Sequence, residues 1–303
     1  MKSPKVCVII VTYNGFEWIE KCINSLSNSE SPVDIMVIDN GSTDGTLEFL
    51  RKSKKLTYLF ESKENLGFGK ANNVGLRYGY QNGYDHFLLL NQDAWVEPNT
   101  VGALMKALEQ NSDFGLVSPL HFNGQGTELD QLFQTYLDRV ESYNGDKKAN
   151  QIKPIYEAPF VNAACWLLTR KSLEKVGIFH PLFDHYGEDD NYIDRLHSVN
   201  LKVGIVPTVK IFHDRDSIGV NPMKDDPRKL YSRTLLQEML KPQERLSRDK
   251  AQEIAKKLEE KGAKRLPIMN RRSFRLFCEK EFSRIFNAVK DFQQNRQSEL
   301  DIS

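Results

Sequence analysis

Val6-Cys7-Val8-Ile9-Ile10-Val11 runs straight into Thr12-Tyr13-Asn14-Gly15 near the start of the chain, and this stretch decides the fold. Six consecutive apolar residues, mostly β-branched, leave no polar face. That is the pattern of a strand covered on both sides, as in a parallel sheet. The polar tetrapeptide after it is then the loop at the strand's carboxyl end.

Working outward, helical and strand patterns alternate. Phe16, Ile19, Ile23 and Leu26 fall at helical spacing, Val33 to Ile38 predicts a second buried strand, and Thr46 to Arg51 a short helix. Leu56 to Phe60 and Phe87 to Leu90 predict two more strands, with a helix over Gly69 to Tyr80 between them. Pro98 to Gln110 is a helix with proline near its start, and Leu116 to Ser118 closes the run. Such alternation implies an α/β domain with a mainly parallel central sheet. Pro119 to Pro159 is polar and rich in Gly and Asn, which predicts an irregular connection. Order returns with Ala164 to Leu168, a helix over Glu188 to Val199, and strands near Val203 to Val206 and Val209 to Phe212. Beyond Ser217 the pattern is helical, broken at Pro222, Pro227, Pro242 and Pro267. The chain therefore divides into residues 1–118 and 119–217, two halves of one domain, and 218–303, a separate helical extension.

Composition narrows the class. The 303 residues are 40% hydrophobic and 27% charged, enough for a sizeable core. A net charge of +1 gives no reason to expect nucleic-acid binding. The charge is uneven, however: residues 218–303 hold 20 Lys/Arg against 13 Asp/Glu, and residues 1–217 hold 22 against 28. Cys7, Cys22, Cys165 and Cys278 are scattered without a C-x-x-C pair, which fits a reducing cytoplasm. No opening run has the length of a signal peptide, and none approaches the roughly 20 apolar residues that span a bilayer. The expected location is the cytoplasm, free or peripheral on the inner face of the membrane.

In a parallel α/β sheet, ligands gather beyond the carboxyl ends of the strands. Here those ends read Thr12-Tyr13-Asn14-Gly15, Asp39-Asn40-Gly41-Ser42 and Asn91-Gln92-Asp93. A single Asp after a strand is commonly a turn former or helix cap, the reading that suits Asp44 before Gly45-Thr46. Polar ends recurring on successive strands point instead to a ligand site. No G-x-x-x-x-G-K-[ST] loop is present, and no G-x-G-x-x-G follows the first strand. P-loop and dinucleotide chemistry are thereby disfavoured.

Val8 to Asn14, followed by Val37-Ile38-Asp39-Asn40-Gly41-Ser42-Thr43-Asp44-Gly45-Thr46, resembles the opening of the family 2 glycosyltransferases. Asn65 to Asn73 resembles the segment that their rhamnosyltransferase-like branch carries next. Leu88 to Asp93 is similar to the place of their D-x-D motif, Phe160 to Arg170 and Gly187-Glu188-Asp189 to their acceptor-side segments, and His213 to their late histidine. Together these cover roughly residues 5–217.

The resemblance implies a GT-A fold and sugar transfer from a UDP-, dTDP- or GDP-sugar to a glycan or lipid-linked acceptor, with inversion. Thr12, Tyr13 and Asn14 would line the nucleotide pocket, Asp39 would bond the base or ribose, and Asn65, Lys70, Asn73 and Asn91 would lie near the donor. Asp93, with His213, would hold Mg²⁺ or Mn²⁺ against the diphosphate. Asp189 would be the general base, with Glu188 the neighbouring candidate. Hard cations suit oxygen ligands, and an attacking hydroxyl needs a carboxylate to take its proton. Helical spacing puts Asp189 with Ile193 and Leu196 on the inward face, and Asp190 with Asp194 and His197 on the solvated one.

Asn91 replaces the first acid of D-x-D, leaving Asp93 as the motif's sole carboxylate. Lys70 stands where Arg is common in the family, offering a point charge rather than a fork. Trp166 is either a stacking platform for the acceptor or a core residue. In the tail, Phe274, Phe277, Cys278, Phe282, Ile285, Val289 and Phe292 share a helical face with basic residues among them. That face packs on its own domain or a second subunit, or lies on an anionic membrane surface. Two rival functions remain: a nucleotidyltransferase that forms sugar nucleotides, whose Arg-bearing glycine-rich loop is missing here, and a non-catalytic nucleotide-sugar binder.

Overall fold

The computed structural model describes residues 4–184, 186–214, 226–242 and 247–302. β1 (Val6–Thr12), α1 (Ile19–Ser27), β2 (Asp34–Asp39), α2 (Thr46–Lys52), β3 (Tyr58–Glu61), α3 (Phe68–Gln81) and β4 (His86–Asn91) follow in strict alternation. Next come β5 (Ala94–Val96), α4 (Thr100–Gln110), β6 (Phe114–Asn123), α5 (Gln131–Leu137), α6 (Glu141–Lys148), β7 (Tyr156–Glu157), β8 (Cys165–Thr169), α7 (Arg170–Val176), α8 (Glu188–Ser198) and β9 (Lys202–His213). Helices α9 (Pro227–Met239), α10 (Arg248–Lys264) and α11 (Ile268–Asp291) complete the chain, with a short helical run on to Leu300.

One sheet has the order β3-β2-β1-β4-β8-β6-β9-β5, and β7 pairs with β9. The alternating pattern of β1 shows why it is central. Cys7 and Ile9 join Met36, Ile38, Phe87 and Leu89 on one face, beneath Ala71 and Leu76 of α3. Val6, Val8 and Ile10 join Ile35, Val37, Leu88 and Leu90 on the other, against Ile19, Ile23 and Leu26 of α1 and Leu104 of α4. Both faces are dry, as a continuous apolar run requires. Gly75 and Gly79 let α3 lie close on the sheet, since a Cβ at either would press on Ile9 or Phe87.

Register fixes the rim. Thr12 pairs with Asp39, and Val11 pairs with both Ile38 and Asn91. The ends of β1, β2 and β4 therefore finish level at one edge.

The sheet is mainly parallel as expected, through β3-β2-β1-β4 and β6-β9, with antiparallel members added: β8 runs antiparallel to β4 and β6, and β5 and β7 run antiparallel to β9. Two expectations are corrected. The segment 119–159 is not simply irregular. β6 continues to Asn123, the Asp130 side chain caps α5 by accepting from Phe133 N, and Phe133, Leu137 and Tyr143 are buried. The two late strands are one strand, β9, whose pairing with β6 jumps from Val206 to Lys210 across an irregularity at Pro207.

The C-terminal helices are not a detached appendage. Phe274, Cys278, Phe282, Ile285 and Val289 pack on Tyr231 and Leu235 of α9 and on Phe183. Phe292 packs on His180 with ring centroids 4.3 Å apart, Ile178 N donates to Leu300 O, and Arg77 donates to the carbonyls of Glu299 and Asp301. The apolar face of α11 is thus covered by its own chain, so the membrane reading of that face is wrong. Among the described residues no helix is long and apolar enough to cross a membrane. Parts of the tail named above, Pro222 among them, lie outside the described residues.

Candidate active site

The polar strand ends are tied into a rim by side-chain hydrogen bonds. Thr12 Oγ1 and Tyr13 N both donate to Gln92 Oε1, at 2.6 and 2.9 Å, joining the end of β1 to the loop after β4. Asn14 takes a left-handed backbone (φ 48), which Asn tolerates better than most residues. From there its N donates to Ser42 Oγ and its Oδ1 accepts from Thr43 N. Asp39 is fully buried at the end of β2. Its Oδ2 accepts from Gly41 N and Ser42 N, while Oδ1 has no partner among the described residues. Asn40 Nδ2 donates to Asn65 Oδ1, which also accepts from Gly67 N and shapes the approach to α3.

Lys70, in the first turn of α3, pairs with Asp184 at 3.0 Å. One residue earlier, a Cβ on Gly69 would lie 3.5 Å from Glu188 Cβ, so the first turns of α3 and α8 abut. The acidic start of α8 therefore adjoins the rim.

Glu188 is the more deeply placed acid, 5% exposed, with no partner for Oε2 among the described residues. Burial, and then the neighbouring Asp189, push its carboxyl up to about 8. Asp189 is half-buried and accepts from Asp190 N through Oδ1; its carboxyl is also raised, by burial first and Asp190 second. The inward face of α8 is centred on Glu188, Tyr192 and Leu196, with Asp189 at its margin. Asp190 is not on a solvated face as expected: its Oδ2 accepts from Gln237 Nε2 of α9.

At the other side of β4, Asp93 precedes β5, and the β5–β9 ladder sets Ala94 opposite His213. His213 is 3% exposed. Its Nε2 lies 3.4 Å from Asp93 Oδ1 and 3.5 Å from Asn91 Nδ2. Asp93 keeps 22% of its side chain open to solvent. Among the described residues no group of three or more His, Cys, Asp or Glu could hold a metal ion. Asp93 Oδ1 and His213 Nε2, this close together, would offer a divalent cation an oxygen and an imidazole ligand.

Residues 7–177 match the sequence profile of glycosyl transferase family 2, more than half of the chain. The chain belongs to this family. It is 25% identical over 242 residues to the N-acetylglucosaminyl-diphospho-decaprenol L-rhamnosyltransferase of Mycobacterium tuberculosis (strain ATCC 25618 / H37Rv), covering 71% of this chain and 78% of that one. It is 24% identical over 224 residues to EpsH of Bacillus subtilis (strain 168), covering 71% of this chain but only 62% of EpsH. A mannosyltransferase from Pyrobaculum calidifontis, solved with GDP-Man and Mn²⁺, superposes over 95% of this chain and 76% of its own, with a TM-score of 0.60 at 16% identity. The fold is GT-A.

Against the family pattern, the structure gathers Thr12, Tyr13, Asn14, Asp39, Asn65 and Lys70 along one edge, with Asn91, Asp93 and His213 at one part of it and Glu188 and Asp189 at another. Two expected members are elsewhere. Asn73 spends its whole amide on the backbone of Phe179, donating to its O and accepting from its N at 2.9 Å, so it is a buried clamp rather than a donor contact. Trp166 is fully buried between Phe179 and Tyr192, leaving no ring face for a sugar. Gln92 and Asp184 were not anticipated. Gln92 could have been suspected from its place inside the Asn91-Gln92-Asp93 motif, whereas nothing local marks Asp184 as the partner of Lys70. Tyr186 holds a left-handed backbone (φ 64) just before α8, an uncommon conformation for a bulky residue. His185 beside it lies outside the described residues.

Proposed function

We propose that this family 2 protein transfers a sugar from a UDP-, GDP- or dTDP-sugar to a hydroxyl of a glycan or lipid-linked acceptor, with inversion at the anomeric carbon. Asp189 takes the proton of the attacking hydroxyl. The new bond forms between that oxygen and the anomeric carbon as the bond to the diphosphate breaks, and the nucleoside diphosphate leaves. Thr12, Tyr13, Asn14 and Asp39 hold the nucleotide, and Lys70 meets the phosphates once it parts from Asp184. Asp93 and His213 would hold Mg²⁺ or Mn²⁺, which would supply Lewis-acid neutralisation of negative charge on a diphosphate.

The observation that carries this reading is the abutment of Glu188 on Gly69, which sets the acid pair of α8 beside the donor-side helix. A base adjoining the donor edge is what direct displacement requires. The raised carboxyl of Asp189 suits a base that works near neutral pH. The Mycobacterium tuberculosis relative, named for rhamnosyl transfer to a diphospho-decaprenol, supports a lipid-linked acceptor. The mannosyltransferase neighbour, solved with Mn²⁺, supports the cation.

A turnover assay tests the reading. Release of nucleoside diphosphate, lowered about 10²-fold or more in Asp189→Asn, is the expected result. Pyrophosphate release would assign nucleotidyl transfer, and no release with any donor would assign a binding protein. Undiminished transfer by Asp189→Asn would remove Asp189 from the role of base.

A further inference from the structure

The corner between α10 and α11 departs from the rest of the C-terminal unit. Elsewhere α11 turns its apolar residues inward, as at Phe274 and Cys278. At the corner, Ile268 is 80% exposed and Met269 86%, and Leu276 about two turns later is 51% exposed. Neither Ile268 nor Met269 joins any of the protein's hydrophobic clusters.

The charge around this tip is predominantly positive, with Glu259 and Asp226 as acids at its edge. Residues 261–278 contain six Lys/Arg and no Asp/Glu. Lys261, Lys264, Arg265, Arg272 and Arg275 are exposed, and Arg275 also pairs with Glu259 at 3.3 Å. Arg271 donates from Nε to Leu266 O, which holds the turn that presents Ile268 and Met269.

We infer that this corner docks the protein on an anionic lipid bilayer, with Ile268 and Met269 entering the interface and the surrounding cations meeting the headgroups. Exposed apolar side chains ringed by cations complement a surface that is apolar beneath and negative above. A second copy of the chain would bring the same positive tip against itself, and a nucleic acid would give Ile268 and Met269 nothing apolar to enter. The surface stands apart from the face of α11 that its own domain covers. It is also independent of whether the acceptor is lipid-linked. Its placement is nonetheless apt: α9, in the same helical unit, holds Asp190 through Gln237 and so adjoins the start of α8.

Co-sedimentation of the full chain with vesicles tests this. Binding to phosphatidylcholine vesicles containing phosphatidylglycerol, and not to phosphatidylcholine alone, is the expected result, with release by added salt. Ile268→Ser/Met269→Ser and Lys264→Gln/Arg265→Gln/Arg272→Gln each lower partitioning about tenfold or more. All five positions are exposed, so both variants are expected to keep the parent's thermal midpoint. Equal binding to neutral vesicles, or no binding to anionic ones, overturns the proposal. So does unchanged partitioning of the Ile268/Met269 variant, which would leave only a charge effect of the kind nucleic acid also exploits. A dimer in solution abolished by the same substitutions would assign the corner to a second copy instead.

Discussion

His213 Nε2 and Asp93 Oδ1 stand 3.4 Å apart because of backbone pairing rather than side-chain reach. The chain turns after Asp93 into β5, which runs antiparallel to the end of β9, and Asp214 N donates to Asp93 O at 2.8 Å. The rigid ladder thereby brings an imidazole and a carboxylate from distant segments to one point. With one acid in the motif, the proposed cation site would draw a large share of its affinity from His213. His213→Ala is expected to weaken Mn²⁺ binding to the nucleotide-loaded protein about tenfold, measured by calorimetric titration. Unchanged Mn²⁺ affinity would exclude His213 as a ligand.

Gly15 and Gln92 make a second coupled pair. A Cβ on Gly15 would overlap the Gln92 side chain and crowd Thr12 Oγ1. Gly15→Ala therefore displaces the amide that joins β1 to the Asp93 loop. The donor KM is expected to rise about tenfold while the global fold persists, because the site is at the rim and not in the core. Gly15→Ala/Gln92→Ala, which removes the overlap with Gln92 and leaves only the Thr12 hydroxyl to shift, should cost less than the sum of the two single changes. Additive costs would mean that the two residues act separately.

The Glu188 carboxyl gives a pH-dependent stability. Its folded value, raised to about 8, exceeds the unfolded one near 4.5, so the native state holds a proton that the unfolded chain releases between them. Stability from this group is fully present below about 4.5 and is lost as pH rises toward 8, by at most about 5 kcal/mol. Glu188→Gln removes the ionisation. Its thermal midpoint relative to the parent is expected to rise between pH 5 and pH 8.5, read by calorimetry. A pH-independent difference would contradict the assignment.

Trp166 separates packing from recognition. Trp166→Ala removes a fully buried ring lying against Phe179 and Tyr192, and is expected to cost about 3–5 kcal/mol in denaturant unfolding. Trp166→Phe, which keeps most of the volume, should leave the acceptor KM unchanged. A rise in acceptor KM without loss of stability would restore the stacking platform.

The parallel half of the fold was legible because β1, β2 and β4 are buried on both faces and their polar ends interrupt apolar runs. The reversal at β8 was not, since Cys165 to Leu168 is as apolar as a parallel strand and its direction is set by the path through α5 and α6. Those helices could have been read: Phe133, Leu137 and Val140 lie at helical spacing behind the Asp130 cap, but the surrounding Gly and Asn masked the period. At the candidate site, the positions of Asp93, His213, Glu188 and Asp189 near the strand ends were legible through ordered motifs. Asn73 and Trp166 were misplaced because a motif position does not say which way a side chain is spent. The inward face of α8 was drawn one residue off, since Ile193 and Leu196 suggest Asp189 equally well until Tyr192 is seen to be buried.

The most direct test is a thermal-shift panel of UDP-, GDP- and dTDP-sugars with and without Mn²⁺, run on the parent and on Asp93→Ala. Stabilisation by one nucleotide class, dependent on Mn²⁺ and lost in Asp93→Ala, is the predicted result; at a ligand concentration about 100-fold above Kd it amounts to about 2.7 kcal/mol. If no sugar nucleotide stabilises the parent under either condition, or if Asp93→Ala responds as the parent does, the rim is not a metal-assisted nucleotide-sugar site.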